Sequence, residues 1–331
     1  MEATECGGRS PSLVNCGDGR VCEVGQIVNG LDNFLFDCDG VLWHGEKVLD
    51  GIIETLSFLR SQGKRLFFVT NNATKSRKDY LKKFQRLGIY ALPEEIYTAG
   101  YAAAAYLKSL GFKKTAFVIG ASGLEEELTL AGIKWIGGTE YPIAGPALED
   151  VASSINCDPE VGAVIVSLDW RCTYEKIAQA ASFLRRDKNC VFVGTNPDPK
   201  LNTASGVVLP GAGSLLAAVE TTTGRKASVV GKPEPLMLDL MVAEHRLDRR
   251  RTGMVGDALT TDIPFGKRGG LTSILVMSGV TTRADFEAHR ASKESGVHPD
   301  FVLESAADIL RARTLASRAA VVETDHRHHT N

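Results

Sequence analysis

The 331-residue chain has no uninterrupted apolar run approaching the roughly 20 residues a membrane-spanning helix needs, so no membrane partner is expected. Residues 1–25 also lack the apolar core of a secretory signal. Their four acids (Glu2, Glu5, Asp18, Glu23) against Arg9 and Arg20 argue against a transit peptide. The seven cysteines, at positions 6, 16, 22, 38, 157, 172 and 190, are scattered and form no Cys-x-x-Cys pair. That scatter offers no metal-ligand spacing and fits free thiols in a reducing, cytoplasmic compartment better than a disulfide framework. A phosphate-binding Gly-x-x-x-x-Gly-Lys-Ser/Thr loop is absent, as is the Gly-x-Ser-x-Gly of an α/β-hydrolase. Excess charge is missing too. The formal net charge is −2, which gives no general attraction to nucleic acid, and Arg185-Arg186 and Arg249–Arg251 read as solvated faces.

What the chain does have is Phe34-Leu-Phe-Asp-Cys-Asp-Gly-Val-Leu-Trp43. Phe34, Leu35 and Phe36 offer no polar face and predict a buried strand. Asp37 and Asp39 follow at once, two residues apart, and on extended backbone they project to the same side roughly 6.6 Å apart. In open α/β sheets ligands bind at this carboxyl end of a strand. Two like charges so close repel unless a cation or a shared proton relieves them, so a divalent metal is implied. A carboxylate can attack phosphorus to give an aspartyl-phosphate, while a second one protonates the leaving alcohol and later activates water.

Three more apolar runs end in complementary polar residues. Lys64–Asn72 closes on Thr70, Asn71 and Asn72, neutral donors suited to phosphate oxygens. Ala227–Pro233 sets Lys232 after a short strand and before Pro233, a proline placed to open the next helix at its first turn. Lysine there is a compact cation for a transferred phosphoryl group. Arg251–Asp257 ends in an acid, with Asp262 five residues on, and completes an oxygen-rich shell of the kind Mg2+ prefers.

Asp37-Cys-Asp-Gly40, Thr70-Asn71-Asn72, Gly231-Lys232-Pro233 and Gly256-Asp257 through Asp262, in this order, resemble the four motifs of the haloacid dehalogenase-like phosphatases. Thr195-Asn-Pro-Asp198, Pro210–Leu215 and Ala218–Thr221 are similar to the phosphoglycolate and 4-nitrophenyl phosphatase branch, with pyridoxal phosphatase a near relative. The resemblance covers about residues 28–312. It implies Asp37 as nucleophile, Asp39 as general acid/base, and Mg2+ on Asp37, the Asp39 carbonyl and Asp257, with Asp262 in support. It also implies phosphate contacts from Thr70, Asn71, Asn72 and Lys232. One departure stands out: the branch usually carries Arg after Gly-Asp and an acid two residues later, where this chain has Ala258 and Thr260.

Alternating apolar strands and amphipathic helices predict an α/β fold, a doubly wound parallel-sheet core of the Rossmann-like kind. Helical spacing appears at Ile52/Ile53/Leu56/Leu59, Leu215/Leu216/Val219 and Leu236/Leu240/Val242. Strands are expected at Thr115–Ile119, Ile133–Ile136, Ala163–Val166 and Cys190–Val193, and helices at 123–131 and 174–186. The expected organisation is a core of residues 26–100 and 210–315 with an inserted α/β cap at 101–209. Disordered ends are expected at 1–25 and at 316–331, where a histidine cluster lies. A cap excludes bulk water and reads the leaving group. Its segment Ser167–Tyr174 offers Arg171, a cation for the carboxylate of a small substrate. Function is therefore expected to be Mg2+-dependent hydrolysis of a small phosphorylated metabolite, 2-phosphoglycolate first. Pyridoxal phosphate or a broad 4-nitrophenyl phosphate activity is the alternative, with phosphotransfer behind them. Assembly as a homodimer through the cap is expected.

Overall fold

The computed structural model describes residues 13–16, 21–142, 145, 147–202, 206–292 and 297–310. The tail at 316–331 with its histidines, like much of 1–25, lies outside the described residues. The chain divides into two compact units, Met1–Phe68 with Leu247–Asn331, and Val69–Arg246. Among the described residues no helix is long and apolar enough to cross a membrane.

In the first unit the buried run after Leu31 becomes the strand Asn33–Phe36, all four residues buried. Phe34 and Phe36 stack at 6.1 Å between ring centroids, and burying each contributes about 1.5–3 kcal/mol. This strand sits between Arg65–Thr70 and Thr252–Gly256, parallel to both, in registers Phe36↔Phe68 and Val255↔Phe36. The sheet continues from Thr252–Gly256 to Thr272–Val276 and Phe301–Leu303, again in parallel. From Asn33–Phe36 the chain winds one way to Arg65–Thr70 and later returns on the other side. The strand order therefore reverses at Asn33–Phe36, and a crevice opens beyond the carboxyl ends at such a switch point. The expected α/β class with parallel sheets is what the structure contains.

Two strands at the edge were not expected. Leu13–Cys16 pairs antiparallel with Phe301–Leu303 and with Val21–Glu23, inside the 1–25 segment expected to be disordered. Strands of three and four residues are too short to print a two-residue period, and pairing across the sheet decides them instead.

The second unit holds a five-stranded parallel sheet in the order Ser228–Val229, Val191–Gly194, Val161–Val166, Thr115–Ile119, Lys134–Gly137. Its strands bury Phe117, Val164 and Val166 against Phe183 and Leu184 of the helix Tyr174–Arg186 and Val219 of the helix Ala212–Thr223. Thr173 caps Tyr174–Arg186 by accepting the Lys176 N–H, which fixes where that helix begins. Pro233 does not open the following helix: Leu236–His245 starts three residues later, with Pro235 as its N-cap.

Candidate active site

In the first unit, strand ends deliver the acids. Asp37 follows Asn33–Phe36 directly, and its N–H donates to the Val255 carbonyl at 2.9 Å, carrying the ladder one residue past the strand. Cys38, buried, turns the chain: its carbonyl accepts the Leu42 N–H at 2.9 Å, and Gly40 takes a left-handed φ of 82°. Asp39 points outward, and its Oδ1 accepts from the indole Nε1 of the buried Trp43 at 2.8 Å.

Asp257 follows Thr252–Gly256 and is buried. Its Oδ2 accepts the Val280 N–H at 2.7 Å, and its carbonyl accepts from Thr281 Oγ1 at 2.6 Å and Thr281 N–H at 3.2 Å. Gly40 and Gly279 press their backbones on this carboxylate so closely that a Cβ at either position would collide with it. Asp262, wholly buried, opens the helix Asp262–Arg268 and accepts the N–H groups of Asp257 (3.0 Å) and Ala258 (3.1 Å). These bonds hold the loop 257–262, which carries Ala258 and Thr260.

Carboxylate oxygens of Asp37, Asp257 and Asp262 all lie within 4.8 Å of one another. Three acids so close repel strongly unless a cation shares them. The donor set is oxygen only, hard and largely buried, which fits a small hard cation rather than a soft transition metal.

The second unit gathers the remaining motif residues. Thr70 ends the strand Arg65–Thr70, and its Oγ1 accepts the Asn72 N–H at 3.2 Å. Asn72 Oδ1 accepts from Thr74 N–H (2.8 Å) and Thr74 Oγ1 (2.7 Å), an Asx turn. Lys232 is buried at 2% exposure and its Nζ donates to the Val69 carbonyl at 3.0 Å. The side-chain nitrogen of Asn71 donates to Asp198 Oδ2 (3.1 Å) and to the Lys232 carbonyl (2.9 Å), so both its amide hydrogens meet protein acceptors. Arg171 is exposed on the loop between Val161–Val166 and Tyr174–Arg186. Its N–H donates to Asp169 Oδ1 at 2.8 Å, and Asp169 is paired with Lys176 at 2.7 Å. Trp170 and Tyr174 flank it, each 70% exposed.

The structure thus brings Asp37, Asp257 and Asp262 together in one unit, with Asp39 beside them in the chain. It gathers Thr70, Asn71, Asn72 and Lys232 in the other. Trp43, Val280 and Thr281 were not anticipated. Their only hint in the sequence is the Ser278-Gly-Val-Thr281 turn after the strand Thr272–Val276, and an aromatic four residues beyond Asp39.

A family model described as haloacid dehalogenase-like hydrolase matches residues 34–134, and a second, HAD-hydrolase-like, matches 229–324. Phosphoglycolate phosphatase 1A, chloroplastic, of Arabidopsis thaliana is 40% identical over 86% of this chain and 78% of its own length. The chain belongs to the haloacid dehalogenase-like hydrolases. It is a phosphatase of that family. Among its relatives, 4-nitrophenylphosphatase of Schizosaccharomyces pombe is 39% identical, covering 87% of this chain and 96% of its own. Chronophin of Bos taurus is 37% identical over 90% and 98%. The solved p-nitrophenyl phosphatase from Archaeoglobus fulgidus superposes with a TM-score of 0.73 at 28% identity, over 85% of this chain and 99% of that one. In this haloacid dehalogenase-like phosphatase the acidic cluster at Asp37, Asp257 and Asp262 is a site able to hold a metal ion.

Proposed function

We propose that the chain is a Mg2+-dependent phosphomonoester hydrolase working through an aspartyl-phosphate on Asp37. The observation that carries this reading is the convergence of Asp37, Asp257 and Asp262 beyond two adjacent parallel strands. Asp37, the Asp39 carbonyl and Asp257 would hold Mg2+, with Asp262 bracing the loop. When bound, the ion neutralises the charge that a phosphate brings toward a carboxylate nucleophile. Asp37 attacks phosphorus. Asp39 gives its proton to the departing oxygen and then takes one from the attacking water. The Trp43 indole holds Asp39 Oδ1 and so orients the carboxyl for that work. Thr70, Asn72 and Lys232 bind the phosphoryl oxygens, Lys232 as the cation.

The substrate we favour is 2-phosphoglycolate, supported by the Arabidopsis relative and by Arg171, whose guanidinium suits a carboxylate. Pyridoxal phosphate or a broad 4-nitrophenyl phosphate activity is the second reading, favoured by the exposed Trp170 and Tyr174 beside Arg171 and by the yeast relative. The same reading makes residues 101–209 a cap domain, through which the enzyme forms a homodimer. It places the enzyme in the cytosol, where the free thiols of Cys38, Cys157, Cys172 and Cys190 are stable.

The test is kcat/KM across 2-phosphoglycolate, pyridoxal phosphate and 4-nitrophenyl phosphate with Mg2+, repeated in EDTA. Chelation should abolish turnover and added Mg2+ restore it, whereas full activity in chelator would remove the metal assignment. Arg171→Ala should cost about 1.5–3 kcal/mol in kcat/KM for phosphoglycolate and leave 4-nitrophenyl phosphate unaffected. Equal losses on both esters would contradict a carboxylate-reading role.

A further inference from the structure

Asn71 makes two hydrogen bonds whose direction its partners dictate. Its side-chain nitrogen faces Asp198 Oδ2 at 3.1 Å and the Lys232 carbonyl at 2.9 Å, both acceptors. A flipped amide would set oxygen against oxygen at both contacts, so the two amide hydrogens are committed inside the protein. The remaining side-chain atom, Oδ1, is buried without a hydrogen-bond partner among the described residues. It lies against Gly231, where an added Cβ would come within 2.6 Å of it. The Asn71 carbonyl accepts from Asn196 Nδ2 at 2.9 Å, and Asn196 Oδ1 accepts the Asp198 N–H at 3.1 Å. The Gly231 N–H donates to the Thr195 carbonyl at 2.9 Å, and Lys232 Nζ reaches back to the Val69 carbonyl at 3.0 Å. Segments 69–71, 195–198 and 231–232 therefore close a frame within the second unit, with the Asn71 amide at its centre.

We propose that Asn71 and Asp198 are positioning residues that fix the main chain of Lys232 relative to Thr70, and that the side-chain amide of Asn71 does not itself hold phosphate. This rests on the reading of Lys232 as the phosphate-binding cation. The amide ties the lysine at its carbonyl, and the ammonium group is tied at Val69. Both ends of Lys232 are thereby set from the strand end that carries Thr70. Asp198 orients the amide by accepting its second hydrogen, and Asn196 links the two by donating to the Asn71 carbonyl and accepting the Asp198 N–H.

The test compares Asn71→Ala, Asn71→Asp, Lys232→Ala and their combinations in the full-length enzyme. Asn71→Ala should lower kcat/KM about tenfold, by one factor for 4-nitrophenyl phosphate and for an alkyl phosphate, because it acts on the phosphoryl side and not on the leaving group. Asn71→Asp sets a carboxylate against two acceptors and should fall about tenfold further. Adding Asp198→Asn to Asn71→Asp restores a donor to that contact and should recover activity about fivefold. In a Lys232→Ala background Asn71→Ala should cost less than about threefold, since the brace acts through that lysine. Full additivity of Asn71→Ala with Lys232→Ala, or an Asn71→Asp enzyme no worse than Asn71→Ala, would overturn the proposal. Should Asn71→Asp fail to fold, the Asn71→Ala and Lys232→Ala cycle carries the test. Turnover unchanged by Lys232→Ala would instead remove the reading of that lysine, a result distinct from additivity.

Discussion

Trp43 gives Asp39 a fixed orientation. Its ring is buried and its Nε1–H donates to Asp39 Oδ1 at 2.8 Å, so the carboxyl proposed to move protons is held in place. Trp43→Phe keeps an aromatic in the core and removes the donor. A hydrogen bond to a charged group is worth about 1.5–3 kcal/mol, so kcat for an alkyl phosphate should fall roughly 10- to 160-fold. 4-Nitrophenyl phosphate, whose leaving group needs little protonation, should fall far less. Equal losses on both esters would show that Trp43 supports the fold and not proton transfer. The thiols make a separate prediction. Burial pushes Cys172 up to about 11, helped by the nearby Asp169 charge, and burial raises Cys190 to about 11 as well. Both remain protonated, unreactive thiols at neutral pH, and their thiolates appear only as pH climbs toward that value. Iodoacetamide at pH 8 should label the exposed Cys157 before either, and labelling of Cys172 should accelerate with each pH unit above 8. Early modification of Cys172 would contradict this assignment.

Among the elements, the loop bearing Arg171 is pinned by an ion pair between two buried side chains, Asp169 at 4% and Lys176 at 3% exposure. Removing one partner of such a pair strands the other charge. Lys176→Met should therefore destabilise the protein by about 3–5 kcal/mol, read as a shift of the urea midpoint. A change below about 1 kcal/mol would mean the pair is solvated like a surface one. Elements of this kind were legible where they are long and apolar. Thr115–Ile119 and Tyr174–Arg186 have the bounds expected of them, because an all-apolar run and a 3.6-residue stripe are local signals. Leu13–Cys16, Val21–Glu23 and the hairpin Lys200–Asn202 with Val208–Pro210 were not read, being too short to carry a period. The site divides along the same line. Asp37 and Asp257 could be read as acids ending buried strands, whereas the Asn71–Asp198 bond spans 127 residues of chain. A contact that distant leaves no mark in local sequence, so the partners of the Asn71 side chain could not be read there.

For the molecule as a whole, chemistry and topology coincide. The two acids that converge on Asp37 come from the loop after the neighbouring strand Thr252–Gly256, on the side to which the chain returns when the winding of the sheet reverses. The buried parallel strands Asn33–Phe36 and Thr252–Gly256 form the base of that loop, and the hydrogen bonds of Asp262, Val280 and Thr281 finish it. The central claim is that Asp37 becomes phosphorylated. Its most direct test is to quench the enzyme in acid during turnover of 4-nitrophenyl phosphate with Mg2+, reduce it with borohydride, and map the modified peptide by mass spectrometry. An acyl phosphate on Asp37 reduces to homoserine at that position, and the modification should require both substrate and Mg2+ and vanish in Asp37→Asn. Steady turnover with position 37 unmodified, or with the label on another residue, would contradict the account.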